Sequence, residues 1–171
     1  MAWGVNDYSG LEMPPGQGTI RIDLEGVWSY KGVEIPRLDL IAYFYRNLRQ
    51  DESGHYFIEI GQQRCDLDVD DTAYVVWTVH WDNSRSPGGS VRLHLSDDSF
   101  EDLDPGTLRI GRDHVLYCRV KQLLFEARFS RSGYYQLVQH IQYDPDRDAC
   151  FLSLGGQRHY IADSTLGFPA D

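Results

Sequence analysis

The residues whose types and spacing can do chemistry fall into a few groups. Asp66, Asp68 and Asp70 alternate within "RCDLDVDD". In a strand all three project to one face, with Leu67 and Val69 on the other. Three carboxylates on one face can hold a hard cation such as calcium or magnesium. The spacing is not that of an EF-hand, and a solvated acidic face needs no ion, so no metal is assigned. "SDDSFEDLDPG" is also acidic and reads as a solvated loop. The six histidines (His55, His80, His94, His114, His140 and His159) form no HxH or HExxH pattern, and no GxSxG occurs. His80 and His94 flank one loop and read as a solvent-facing pair. No catalytic residue and no cofactor is expected.

The arginines carry the positive expectation. Fourteen of the sixteen basic residues are Arg; the two lysines are Lys31 and Lys121. Residues 106–131 hold Arg109, Arg112, Arg119, Lys121, Arg128 and Arg131 against Asp113 and Glu126, a basic stretch in a chain of net charge −10. Arg128 and Arg131, with Arg37 and Arg49 from the first half, can line a pocket for a small anion. Arg37 leads, because it lies where a helix begins and backbone N–H groups favour an anion. Trp28, Tyr30, Tyr56 and Asp71 are placed near it; the aromatic residues read first as core.

The net charge excludes other partners. An acidic chain repels phosphate backbones and anionic membranes, so neither nucleic acid nor membrane is expected. No run of eighteen apolar residues occurs, and the first residues lack a signal-peptide pattern. Cys65, Cys118 and Cys150 fit no zinc spacing and read as small buried thiols in a reducing, cytoplasmic setting.

These side chains need elements to hold them. Residues 1–17 read as a loosely ordered arm. "GTIRIDLEGVWSYKG" alternates across a Glu25-Gly26 turn and reads as a hairpin. Leu38, Ile41, Phe44, Tyr45 and Leu48 make one helical stripe, predicting a helix over 37–49, entered at Pro36 and closed near Gly54. Strands are predicted at 55–60, 64–69 and 74–81, with Val75, Trp77, Val79 and Trp81 on one face and Trp81 the most exposed. Residues 82–89 read as a loop and "SVRLHLS" as a further strand.

The second half repeats the first. "GTLRIGRDHVLYCRV" parallels the first hairpin. A helix is predicted over 119–131, on Val120, Leu123, Leu124 and Ala127. Ser132-Gly133-Tyr134-Tyr135 then opens a strand, as Ser53-Gly54-His55-Tyr56 does. "CFLSL" and "RHYIA" close as a hairpin. The expected class is α+β: two repeated units, each a curved antiparallel sheet packed around one helix. The expected boundaries are 18–96 for the first unit, 97–105 for an acidic linker, 106–163 for the second and 164–171 for a tail.

With these motifs in place, the first half resembles the bacterial domain-of-unknown-function family 1285. The matching positions are Gly26, Trp28, Tyr30, Gly32, Ile35, Arg37, Phe44, Leu48, Arg49, Gly54, Tyr56, Val69 and Asp71. The stretch "YFYRNLRQDESGHY…CDLDVDDTAYVV" also resembles family 4505. Thr72-Ala73-Tyr74 departs from the Ala-Pro-Phe of the first family. That resemblance implies a two-part fold with repeated motifs and a regulatory or small-ligand-sensing role, with no established activity. The functional expectation is a non-catalytic module that binds a small anion between the two units. The alternatives are an enzyme acting on a small anionic substrate, or an interaction module with a protein partner or a second copy of itself.

Overall fold

The computed structural model describes Tyr8, residues 20–82, Ser84 and residues 89–164. Among these, the protein is mixed α+β: mostly strands, in three sheets, with two helices. No helix among the described residues is long and apolar enough to cross a membrane. The chain divides into two compact units, residues 1–71 and 72–171. Nearly all of the expected arm 1–17, much of the loop 82–89 and residues 165–171 of the tail lie outside the described residues.

The first unit opens with β1 (Ile20–Ile22), β2 (Trp28–Tyr30) and β3 (Val33–Glu34), joined as antiparallel neighbours. Asp23 closes the first turn by accepting from the N–H groups of Glu25 and Val27, both at 2.9 Å. Lys31 and Gly32 make the second turn with φ of 50° and 79°, the mirror-image geometry that matches strand twist. After α1 (Leu38–Arg46) come β4 (Leu48–Gln50), β5 (Tyr56–Ile60) and β6 (Gln63–Val69). Strand β6 returns parallel to β1, giving a six-stranded sheet ordered β3-β2-β1-β6-β5-β4. The helix buries Phe44 and Tyr45 against Trp28, with ring centroids 5.6 and 5.0 Å away.

Helix α1 is shorter than the predicted 37–49. It stops at Arg46 because Asn47 and Leu48 turn to pair with β5: Glu59 N donates to Asn47 O, and Leu48 faces Ile58. Leu38, at the start of the predicted stripe, is exposed.

The second unit begins with β7 (Tyr74–Asp82), β8 (Ser90–Leu95) and β9 (Phe100–Asp102). The acidic stretch 97–105, expected as a linker, therefore carries a strand and lies inside this unit. A bulge at Trp77 breaks the predicted alternation of β7, so Val75 and Val76 are both buried. Next come β10 (Arg109–Ile110), β11 (Leu116–Val120) and β12 (Phe125–Phe129). Strand β12 pairs in parallel with β7. Then follow α2 (Arg131–Val138), β13 (Ile141–Asp144), β14 (Ala149–Leu154), β15 (Gln157–Tyr160) and β16 (Ala162–Asp163). One sheet runs β16-β10-β11-β12-β7-β8-β9, and β13-β14-β15 form another.

Two predicted elements exchange places here. Residues 119–131, predicted helical, form most of the β11–β12 hairpin, and the predicted strand at Ser132 is α2. Lys121, Gln122 and Leu123 all take positive φ (53°, 58° and 68°), which reverses the chain and turns Leu123 and Leu124 outward. Ser130 then caps α2: its Oγ accepts from Gly133 N at 3.1 Å and donates to Trp77 O at 3.0 Å. Gly133 is required because a Cβ there would sit 2.8 Å from Val76 O. The shared Ser-Gly-x-Tyr is thus a turn into β5 in one place and the first turn of a helix in the other.

Candidate binding surfaces

Arg37 is the N-cap residue of α1. Its guanidinium donates to Asp39 Oδ2 at 2.8 Å and to the Tyr8 hydroxyl at 2.7 Å, and that hydroxyl donates to Asp39. Asp39 is the leading cause that raises the Arg37 pKa. Trp28 is buried, and its Nε1 has no hydrogen-bond partner among the described residues. Tyr56 is buried, Tyr30 is partly exposed under the Lys31 ammonium at 5.3 Å, and Asp71 is half-buried. Arg49 donates to Leu48 O at 2.8 Å and approaches Glu59 at 3.9 Å. In the second unit, Arg128 is half-buried on β12, and the Arg131 guanidinium lies 6.0 Å from the Tyr135 ring.

The acidic face of β6 is occupied by arginines. Asp70 takes two hydrogen bonds from Arg21, both at 2.9 Å, and Asp66 takes one from Arg64 at 2.9 Å. Among the described residues no three His, Cys, Asp or Glu side chains gather as metal ligands would. Burial raises the thiol pKa of Cys65 and of Cys118.

Each unit braces one hairpin with an aromatic residue, an arginine and an aspartate. In the first, the Arg64 guanidinium lies 3.8 Å from the Phe57 ring centre and 3.5 Å from Asp51. Hydrogen bonds from Ser53 Oγ and the His55 amide hold the Asp51 carboxyl below its usual range. In the second, Arg158 lies 4.7 Å from the Phe151 ring centre and 3.4 Å from Asp144. The Tyr160 hydroxyl, donating at 2.7 Å, leads the causes that lower the Asp144 pKa.

A further surface was not foreseen as a site. Strand pairing sets Thr78 against His94, His80 against Arg92, and His94 against Phe100. The Phe100 ring stacks on the His94 imidazole at 4.4 Å and 6°, and Phe100 remains 47% exposed. Arg92 lies 5.4 Å from the Phe100 ring centre and His80 6.3 Å, while Trp77 meets His94 edge-on at 5.5 Å. Asp98 accepts from His94 Nε2 at 2.8 Å, and Asp102 faces Arg92. The sequence signal was the alternation of "SVRLHLS" with the His80–His94 pair. The missing part was Phe100, in a stretch read as linker.

The class this architecture defines is a mixed α+β protein of two β-rich units, each with one α-helix among the described residues. Its fold is shared with DUF1285 family proteins, the family 1285 named above. The crystal structure of one from Silicibacter pomeroyi DSS-3 matches with a TM-score of 0.71 at 17% identity, over 97% of this chain and 92% of that one. Another, from Shewanella baltica OS155, matches with a TM-score of 0.58 at 17% identity, over 71% of this chain and 91% of that one. The resemblance is one of fold; neither comparison extends it to family 4505. No family model matches the sequence, and no curated protein matches it.

Proposed function

We propose that the chain is a non-catalytic, ligand-binding module built from one duplicated half, and that its ligand is a small anion carrying a planar ring. Equivalent registers support the duplication. Strand β1 meets β6 at Arg21↔Asp68 and Ile22↔Val69; β10 meets β16 at Arg109↔Ala162 and Ile110↔Asp163, likewise in parallel. The pairs Ile60↔Gln63 and Leu154↔Gln157 hold corresponding places at the turns of the last hairpins. Asp51, Phe57 and Arg64 recur as Asp144, Phe151 and Arg158. Both lysines begin the turn after the second strand of their half, each with positive φ.

What recurs braces the fold. What occurs once is where a binding function has room to be added. Among the described residues the β7–β9 meander has no counterpart in the first unit, and it carries the half-exposed Phe100 ring, stacked on His94 beside Arg92. This observation carries the reading: an exposed aromatic face with a guanidinium beside it attracts a planar anionic ring by stacking and by charge. The groups with shifted pKa favour a non-catalytic role. The Asp51 pKa is lowered by hydrogen bonds within its turn and that of Asp144 chiefly by the Tyr160 hydroxyl, while burial raises the thiol pKa of Cys65 and Cys118. Arg37 is the second place for the anion, but its charge already faces Asp39, which an incoming anion must displace.

Calorimetric titration with adenosine monophosphate, adenosine and inorganic phosphate tests this reading. Phe100→Ala and Arg92→Ala alter exposed side chains. Each is expected to weaken nucleotide binding by about tenfold, on the order of 1.4 kcal/mol. Absence of binding at millimolar nucleotide sinks the reading. Loss of binding in Arg37→Ala, with Phe100→Ala unaffected, moves the anion to the start of α1.

A further inference from the structure

The two halves differ at one edge. In the second unit, the first pair beyond the Lys121 turn is Val120↔Phe125. In the first unit, the corresponding pair beyond the Lys31 turn is Tyr30↔Val33. The next positions agree: Glu126 faces Arg119 where Glu34 faces Ser29. Ile35 N donates to Trp28 O where Ala127 faces Cys118.

The far sides of these strands do not agree. Strand β12 has β7 beside it, in register from Ala127↔Tyr74 to Phe129↔Val76. The Tyr74 ring lies 5.2 Å from the Phe125 ring and 5.2 Å from Lys121 Nζ, and Val120 is only 1% exposed. Among the described residues strand β3 ends its sheet. Val33 is 71% exposed and Tyr30 38% exposed, and the exposed Leu38 follows. The corresponding apolar pair is covered in one half, with Val120 buried and Phe125 half-buried, and open in the other.

We propose that the β3 edge is the docking site for an extended segment of a partner protein. An aromatic side chain of that segment seats between Val33 and Lys31, as Tyr74 seats between Phe125 and Lys121. Lys31 supplies the cation over the ring. Pro36 has no N–H to offer, whereas Arg128 N, near the corresponding place in β12, donates to Thr72 Oγ1. The backbone ladder is therefore short, and side chains supply most of the affinity and the selectivity. A second copy of the chain does not offer such a segment from β7, which is hydrogen-bonded on both sides, to β12 and to β8. This inference rests on the equivalence of the two halves and not on the Phe100 face, so the two readings fail separately.

The probe is a labelled synthetic peptide of sequence TAYVVWTVHWD, copied from residues 72–82, followed by fluorescence anisotropy on the full chain. Binding is expected at up to about 0.1 mM, weakened by about tenfold in Val33→Lys. Leu123→Lys, exposed on the other hairpin tip, serves as the control and leaves binding unchanged. A matched peptide with Tyr replaced by Ser at its third position is expected to bind more weakly. The proposal is overturned if the peptide does not bind, or binds Val33→Lys as well as wild type. It is equally overturned if sedimentation velocity shows a wild-type dimer that Val33→Lys dissociates, because the edge then belongs to a second copy.

Discussion

Gly133 shows how a single residue sets the placement of a helix. The backbone of α2 approaches β7 so closely that a methyl group there meets a carbonyl oxygen, Val76 O, rather than a side chain that can swing away. Gly133→Ala is therefore expected to destabilise the protein by about 1–3 kcal/mol, through the overpacking that follows when the helix lifts. Urea denaturation measures it; a change within about 0.5 kcal/mol shows that α2 tolerates displacement. At this scale some roles were readable in advance and others were not. Glu25-Gly26 announces its turn by residue type alone, whereas the part of Asp23 in it does not. Nothing in the local spacing of Gly133 indicates that its neighbour is a carbonyl nearly sixty positions earlier. For the same reason Arg37 read as an open anion site, although its hydroxyl partner, Tyr8, comes from a stretch read as arm.

Among the elements, the β11–β12 hairpin is the clearest case of a period misread. Val120, Leu123, Leu124 and Ala127 have helical spacing, but Val120 and Ala127 belong to two different strands and the leucines to the turn between them. A short apolar run with a turn inside it mimics a helix face. Three consecutive non-glycine residues with positive φ hold that turn, each in a conformation that costs an L-residue about 1–2 kcal/mol. The strain is offset by Lys121, whose ammonium meets Asp97 at 2.6 Å and Ser99 Oγ at 2.5 Å, and whose N–H donates to Glu101 at 2.9 Å. Gln122 is exposed and makes no such contact among the described residues. Gln122→Gly is accordingly expected to stabilise by about 0.5–1 kcal/mol, after the added freedom of the unfolded chain is subtracted. A loss of stability in the same denaturation assay argues that the turn is not strained. The first hairpin, by contrast, was legible because Gly26 stands where positive φ is needed.

For the molecule as a whole, each compact unit holds a carboxylate with a lowered pKa, and acid tests both at once. Asp51 follows the first strand of a three-stranded meander and Asp144 ends the first strand of another, and both have lowered pKa values. A carboxylate with a lowered folded pKa stabilises the native state above its unfolded pKa, near 4; that contribution is lost as pH falls through the lower folded value. Asp51→Asn and Asp144→Asn are therefore expected to melt below wild type at pH 7, with the gap closing as pH drops below about 4. Because the two residues sit in separate compact units, the double variant is expected to lose the sum of the single losses to within about 0.5 kcal/mol. A gap that persists unchanged to pH 2.5 assigns the effect to the amide itself rather than to the lost charge. Strong non-additivity couples the two units. The likeness of "GTIRI" to "GTLRI" was visible in the sequence. The place of the meander was not, because β7 follows the first unit in sequence but pairs with β12, some fifty residues further on. A parallel pairing between strands so far apart leaves no local mark in either strand, which is why the boundary was sought in the acidic stretch rather than at Asp71.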